Sequence, residues 1–134
     1  MTLYVDSSAL LKRYVDEPDS DACDEILRSD PILVTGRHTV VEVRRNLARL
    51  VGKRDLAAVK GAFARDLTAI SIVELDAVTC ETAATIAEVT GVCSLDALHL
   101  ASAQRVGGTA VAFVTFDLRQ AQAARSLGYK VLGT

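Results

Sequence analysis

The stretch AVAFVTFD, residues 110–117, decides the fold. An unbroken apolar run ending in an acid reads as a strand buried on both faces, with a carboxylate at its carboxyl end. The stretch TLYVD, residues 2–6, repeats the pattern in shorter form. Three further short apolar runs read as strands: Ile32–Thr35 before a Gly36 turn, Ile72–Leu75, and Tyr129–Leu132.

Between the strands, apolar residues recur at helical spacing. One helix follows Ser7 and Ser8, carries Leu10, Leu11, Tyr14 and Val15, and stops at Pro18. A second is capped among Asp19, Ser20 and Asp21 and carries Cys23, Ile26 and Leu27. Thr39 starts a helix that ends at Gly52, and Asp55 caps the next, whose stripe is Leu56, Val59, Phe63, Leu67 and Ile70; these two form an αα-hairpin. Asp76–Val89 closes at Gly91, Ser94 opens a helix ended by Gly107 and Gly108, and Leu118–Leu127 precedes Gly128. Strands alternating with helices, without polar alternation inside the strands, predict an α/β fold whose parallel sheet is covered on both faces.

The chain has 134 residues, 50% hydrophobic and 24% charged, with a net charge of −2, which predicts one domain spanning residues 1–134 and excludes a disordered segment. Its longest stretch without Asp, Glu, Lys or Arg, from Val106 to Phe116, is too short to cross a membrane. The opening MTLYVDSSALLKR lacks a basic region ahead of its apolar residues, so no secretory leader is expected and the protein is placed in the cytoplasm. Three cysteines without C-x-x-C spacing read as reduced, mostly buried thiols.

Charge is unevenly placed. Asp16 to Asp30 holds seven acids against Arg28 alone, whereas Arg44 to Arg54 holds five bases (Arg44, Arg45, Arg49, Lys53, Arg54) and no acid. Either block reads as a solvated helix face. The basic block reads as a phosphate-contacting ridge if a chemical site adjoins it.

Four acids mark such a site. Asp6 and Asp117 each follow a strand directly, so a parallel sheet sets both at one edge, where open α/β sheets bind ligands. Glu42, within TVVEV, and Asp96, within CSLDALHLA, interrupt apolar runs in the first turns of two helices. Each also has an ordinary structural reading: Thr39 and Glu42 as a capping box, Ser94 as a cap with Asp96 favouring the helix dipole, Asp6 and Asp117 as N-caps. Converging carboxylates repel, by roughly 1 kcal/mol per pair at about 4 Å in water and several-fold more when partly buried. They need a cation among them, and oxygen-only ligands select a hard one, Mg²⁺ or Mn²⁺. Such an ion beside a basic ridge suits phosphodiester hydrolysis.

The stretches YVDSSALLKRY, VVEVRRNL, SLDALHLASA and FVTFDLRQAQAARSLGYKV resemble the four blocks of the PIN-domain ribonucleases, and among these the VapC-type toxins of bacterial toxin–antitoxin pairs. The resemblance runs from Thr2 to Leu132 and places the family's acids at Asp6, Glu42, Asp96 and Asp117. It implies a three-layer α/β/α sandwich around a parallel sheet, a Mg²⁺- or Mn²⁺-dependent endoribonuclease, a homodimer, and a cognate antitoxin that plugs the active site. Where some members carry a further acid, this chain has Leu118, Arg119 and Gln120, so one well-held metal is expected. Asp6 and Asp96 are then the principal ligands, Asp117 completes the shell, and Glu42 orients or deprotonates the attacking water. Ser7, Asn46 and Thr115 are expected to support the acids, and Arg44, Arg45, Arg49, Lys53 and Arg54 to guide RNA.

His99, three residues after Asp96, reads as a packed or hydrogen-bonded histidine rather than a ligand, His38 as loop surface, and Cys93 as structural. Six aromatics, mostly core, leave little for base stacking. A mean hydropathy of +0.26 predicts apolar surface covered by a second subunit or the antitoxin. Competing functions fit less well. A receiver domain wants paired acids after the first strand and a late Lys; a haloacid-dehalogenase-like phosphatase wants D-x-D where Asp6-Ser7-Ser8 stands; a dinucleotide fold wants G-x-G-x-x-G. A non-catalytic module binding RNA or protein is the alternative of a different class, and four acids without a task argue against it.

Overall fold

In the computed structural model, which describes residues 2–134, the five strands are β1 (Leu3–Val5), β2 (Leu33–Gly36), β3 (Ser71–Val73), β4 (Ala112–Thr115) and β5 (Lys130–Gly133). They form one sheet in the order β3-β2-β1-β4-β5, and every pairing is parallel. Val5 pairs with Val114 in register, so the residues that follow β1 and β4 emerge side by side. The strand order reverses between β1 and β4, the point at which such sheets open a crevice.

The helices are α1 (Ser7–Leu11), α2 (Ser20–Arg28), α3 (His38–Leu50), α4 (Lys53–Leu67), α5 (Ala77–Thr90), α6 (Ser94–Val106) and α7 (Leu118–Ser126). Alternation of side chains across the pleat divides the core into two layers. Tyr4, Val34 and Phe113 pack one face against α5, α6 and α7 through Ala83, Ile86, Leu100 and Ala124. Leu3, Val5, Ala112 and Val114 pack the other against α1 to α4 through Leu10, Cys23, Val43, Leu47 and Phe63. The arrangement is the expected three-layer α/β/α sandwich.

Several local expectations are corrected. The first helix ends at Leu11, short of Tyr14 and Val15, which pack on the core from turns. The buried Lys12 ties that end down, with Nζ 2.9 Å from Glu17 and 2.6 Å from Asp19, so Asp19 is spent on Lys12 and makes no side-chain cap for α2. Gly36 closes β2 instead of forming a turn. Gly52, not Asp55, is the N-cap of α4, and Cys93, not Ser94, that of α6. The mostly buried thiols reduce to Cys23, since Cys80 and Cys93 are exposed. Gly91 ends α5 in the left-handed conformation at φ 74°, as its place predicts. Among the described residues no helix is long and apolar enough to cross a membrane.

Candidate functional site

Asp6 is the N-cap of α1 and is only 3% exposed. Its Oδ1 accepts from Ser8 Oγ at 2.7 Å and from the Ala9 amide at 3.0 Å, and its Oδ2 accepts from Thr115 Oγ1 at 2.5 Å. Burial pushes the Asp6 carboxyl above its ordinary range, outweighing the His99 charge and the three donors, which favour the ionised form. Thr115 also accepts from the Asp117 amide at 3.1 Å, and Ser8 Oγ accepts from the Phe116 amide at 3.1 Å. The ends of β1 and β4 are thereby sewn together around one carboxylate.

Asp117 caps α7 by accepting from the Gln120 amide at 3.0 Å, and it stands exposed at the mouth. Gln120 Nε2 reaches across to the Asp96 carbonyl at 3.2 Å, fixing α7 against α6. Half-buried Asp96 is pushed up, first by loss of water; the charges of Asp117 and Glu42 add to this, against the Cys93 thiol and His99, which favour ionisation. The fold thus brings Asp96 into the field of two other acids on separate elements. Among the described residues, no Lys or Arg pairs with Asp6, Glu42, Asp96 or Asp117.

Glu42 behaves differently. The capping box does not form: Arg37 is the N-cap of α3, and Thr39 instead exchanges a 2.7 Å hydrogen bond with Thr35. Glu42 Oε1 accepts from His99 Nε2 at 2.8 Å, and the His99 Nδ1 meets the Tyr4 hydroxyl at 2.8 Å. Burial acts to raise the Glu42 carboxyl, but His99, with His38 and Ser7 adding, holds it below the usual range. His99 is thus hydrogen-bonded at 1% exposure, and it also touches a site acid. His38, expected on the surface, is buried at the start of α3 with its ring centroid 4.0 Å from that of His99. Burial, with His99 adding, lowers its pKa to about 4, so it is neutral at pH 7.

Of the supporting residues, Thr115 holds Asp6, and Ser7 lies beside His99 (3.5 Å) and Glu42, not beside Asp6. Asn46 turns back on its own helix, donating to the Glu42 carbonyl at 2.9 Å and accepting from Arg49 at 3.1 Å. Arg44, Arg45, Arg49, Lys53 and Arg54 are all exposed, along α3 and the start of α4. Sequence reading missed Ser8 and His38. Both signals were present: a hydroxyl two residues after an N-cap acid, and a histidine four residues before Glu42 on the same helix face.

The family model of the PIN domain matches residues 3–126. This chain belongs to the PIN domain family. A curated relative of this PIN domain is Ribonuclease VapC35 of Mycobacterium tuberculosis, 37% identical over 134 residues, covering 97% of this chain and 95% of that protein. Among solved structures, FitAcB from Neisseria gonorrhoeae superposes with a TM-score of 0.76 at 18% identity, covering 98% of this chain and 96% of that one. A toxin–antitoxin complex from Klebsiella pneumoniae gives a TM-score of 0.68 at 15% identity, with 86% of each chain covered. At these identities the two structures speak for the shared fold.

Proposed function

We propose that this chain is a divalent-metal-dependent endoribonuclease, the toxin of a toxin–antitoxin pair in the cytoplasm, with residues 1–134 acting as one nuclease domain. The observation that carries the reading is buried Asp6 at the switch point and half-buried Asp96, both raised first by desolvation, with the charges of Asp117 and Glu42 acting on Asp96 and, among the described residues, no Lys or Arg paired with any of them. The donor set fits a hard ion, because Asp6, Asp96 and Asp117 offer only oxygen. These three would hold Mg²⁺ or Mn²⁺. Such an ion supplies positive charge at the scissile phosphate and acidifies water.

The chain's own groups do the rest. Ser8 and Thr115 fix both oxygens of Asp6. His99 occupies Oε1 of Glu42 and keeps that carboxylate ionised at neutral pH. A carboxylate held below its usual pKa is a weak base, so Glu42 serves chiefly to orient the attacking water. Arg44, Arg45, Arg49, Lys53 and Arg54 supply the cationic track for the RNA backbone.

The antitoxin reading rests on the relatives and on surface chemistry. Val41, Leu95 and Leu118 are exposed, and each neighbours a site acid in sequence. A groove between α3 and α4 is lined by Val40, Val41, Ala48 and Leu56 with Arg44, Arg45 and Lys60. An antitoxin helix would fill such a groove while an Arg entered among the carboxylates. A homodimer would cover other exposed apolar residues such as Val89. End-mapping of RNAs cut by the purified chain, with and without EDTA, tests the nuclease reading. Cleavage that survives EDTA overturns it, and co-expression with the neighbouring small reading frame should silence activity.

A further inference from the structure

From the juxtaposition of His38, Glu42 and His99 we infer a second cation site, for Zn²⁺ or a similar imidazole-seeking divalent ion, that shares Glu42 with the carboxylate crevice. One ligand atom from each residue lies within 4.8 Å of the others. Glu42 Oε1 is 2.8 Å from His99 Nε2 and 3.9 Å from His38 Nε2. Two ligands of a tetrahedral zinc stand about 3.3 Å apart, between these two separations, so small side-chain shifts close the triad. Two imidazoles with one carboxylate select a borderline ion over Mg²⁺.

His38 supplies the independent sign of a ligand. It is 6% exposed, and neither ring nitrogen makes a hydrogen bond; the Leu95 backbone nearby is outside bonding geometry. Buried polar atoms are ordinarily satisfied, so an imidazole with neither nitrogen hydrogen-bonded, facing a carboxylate, is disposed to bind a cation. The backbone makes room for that ring at Gly36, where a Cβ would stand 2.5 and 2.7 Å from His38 ring atoms. The Tyr4 hydroxyl at 2.8 Å from His99 Nδ1 orients the second imidazole: when the proton that Nε2 gives to Glu42 moves to Nδ1, which then donates to that hydroxyl, the Nε2 lone pair is free for a metal. Filling the triad draws Glu42 away from the oxygen-only site. Zinc therefore suppresses Mg²⁺-supported cleavage, a consequence that rests on the nuclease reading above.

The test titrates Zn²⁺ into the purified chain while following imidazole ¹⁵N resonances. Nε2 of both His38 and His99 should shift together with one equivalent, a readout that needs no variant and no activity. Competition with a chromophoric chelator should show affinity reduced roughly tenfold or more in His38→Gln, and much less in Asp117→Asn. Unmoved imidazole resonances overturn the site, as does a His38→Gln protein that is folded and binds Zn²⁺ like the parent. A larger loss in Asp117→Asn assigns the zinc to the carboxylates and overturns it too. Imidazole shifts in a chain that never cleaves RNA uphold the triad and sink the nuclease reading instead.

Discussion

Asp6 and Glu42 belong to one crevice and both are largely withdrawn from water, yet burial leaves them in opposite states. Asp6 has three hydrogen-bond donors, and the charge of His99 also favours its ionised form, yet its deep burial pushes the carboxyl up. Glu42 has an imidazole at 2.8 Å, and its carboxyl is pulled down. At Asp6, 3% exposed, neutral donors and an unbonded imidazole do not offset the lost hydration, whereas at Glu42, 20% exposed, an imidazole in direct contact does. The aspartate half of the crevice is therefore incomplete without an added charge. The glutamate half has His99 in direct contact.

The largest way to break this contrast is to remove the aspartate charge. Asp6→Asn or Asp96→Asn should lower Mg²⁺-dependent RNA cleavage by roughly 10³-fold or more, with circular dichroism unchanged. Retained cleavage in both variants removes the crevice from consideration. Thr115→Val keeps the charge and deletes one donor to Asp6 while leaving the Asp117 amide without its acceptor. It should weaken Mg²⁺ affinity and cleavage by about 10- to 100-fold, read by titrating the metal in single-turnover assays.

Gly36→Ala probes the imidazole half. Its methyl would meet His38 at 2.5 Å and the Tyr4 hydroxyl at 3.0 Å, both in buried surroundings. Overpacking of this kind costs about 1–3 kcal/mol, measurable as a lower urea midpoint.

A pH series sharpens the same comparison. A carboxyl raised in the folded state binds protons that the unfolded chain releases. The contribution of Asp6 and Asp96 to stability is therefore greatest near and below their ordinary value of 3.8 and is lost as pH rises through their folded pKa. An ion held by the ionised forms offsets that loss. Saturating Mg²⁺ should thus raise the melting temperature at pH 7 by about 3 °C or more, and the gain should vanish as pH falls toward 3.8. Glu42 has the opposite sign: its folded pKa is lowered, so its contribution is present above its ordinary 4.5 and fades as pH falls through the folded value.

What the sequence disclosed follows from period and adjacency. A strand ending in an acid fixes that acid at a sheet edge whatever surrounds it, so Asp6 and Asp117 were legible from TLYVD and AVAFVTFD. The strand order was not, because nothing local says that β4 rather than β3 lies beside β1. Glu42 was legible as inward-facing from its apolar neighbours, but its partner was not. Thr39 fits a capping box, yet it bonds Thr35, four residues earlier, at 2.7 Å, because the chain turns from β2 into α3 so as to bring the two hydroxyls together. His38 was misplaced because its burial depends on Gly36 leaving room and on α6, distant in sequence, carrying His99 over it.

The smallest expected effect concerns the arginines and lysine that continue from Glu42 along α3 into α4. They differ from the crevice in being exposed, so solvent and salt screen them, and each is worth little singly. Glu substitutions at Arg49 and Lys53 together should leave the turnover number near its parent value, because neither residue bonds a site carboxylate, and should raise KM several-fold at low salt. The logarithmic dependence of kcat/KM on salt should flatten by about 0.7 for each phosphate of a single strand that the protein ceases to neutralise. Arg49 already hydrogen-bonds Asn46 at 3.1 Å, so its share should be the smaller of the two. An unchanged KM at low salt would return this block to an ordinary solvated helix face. The carboxylate crevice would then have to recruit RNA without it.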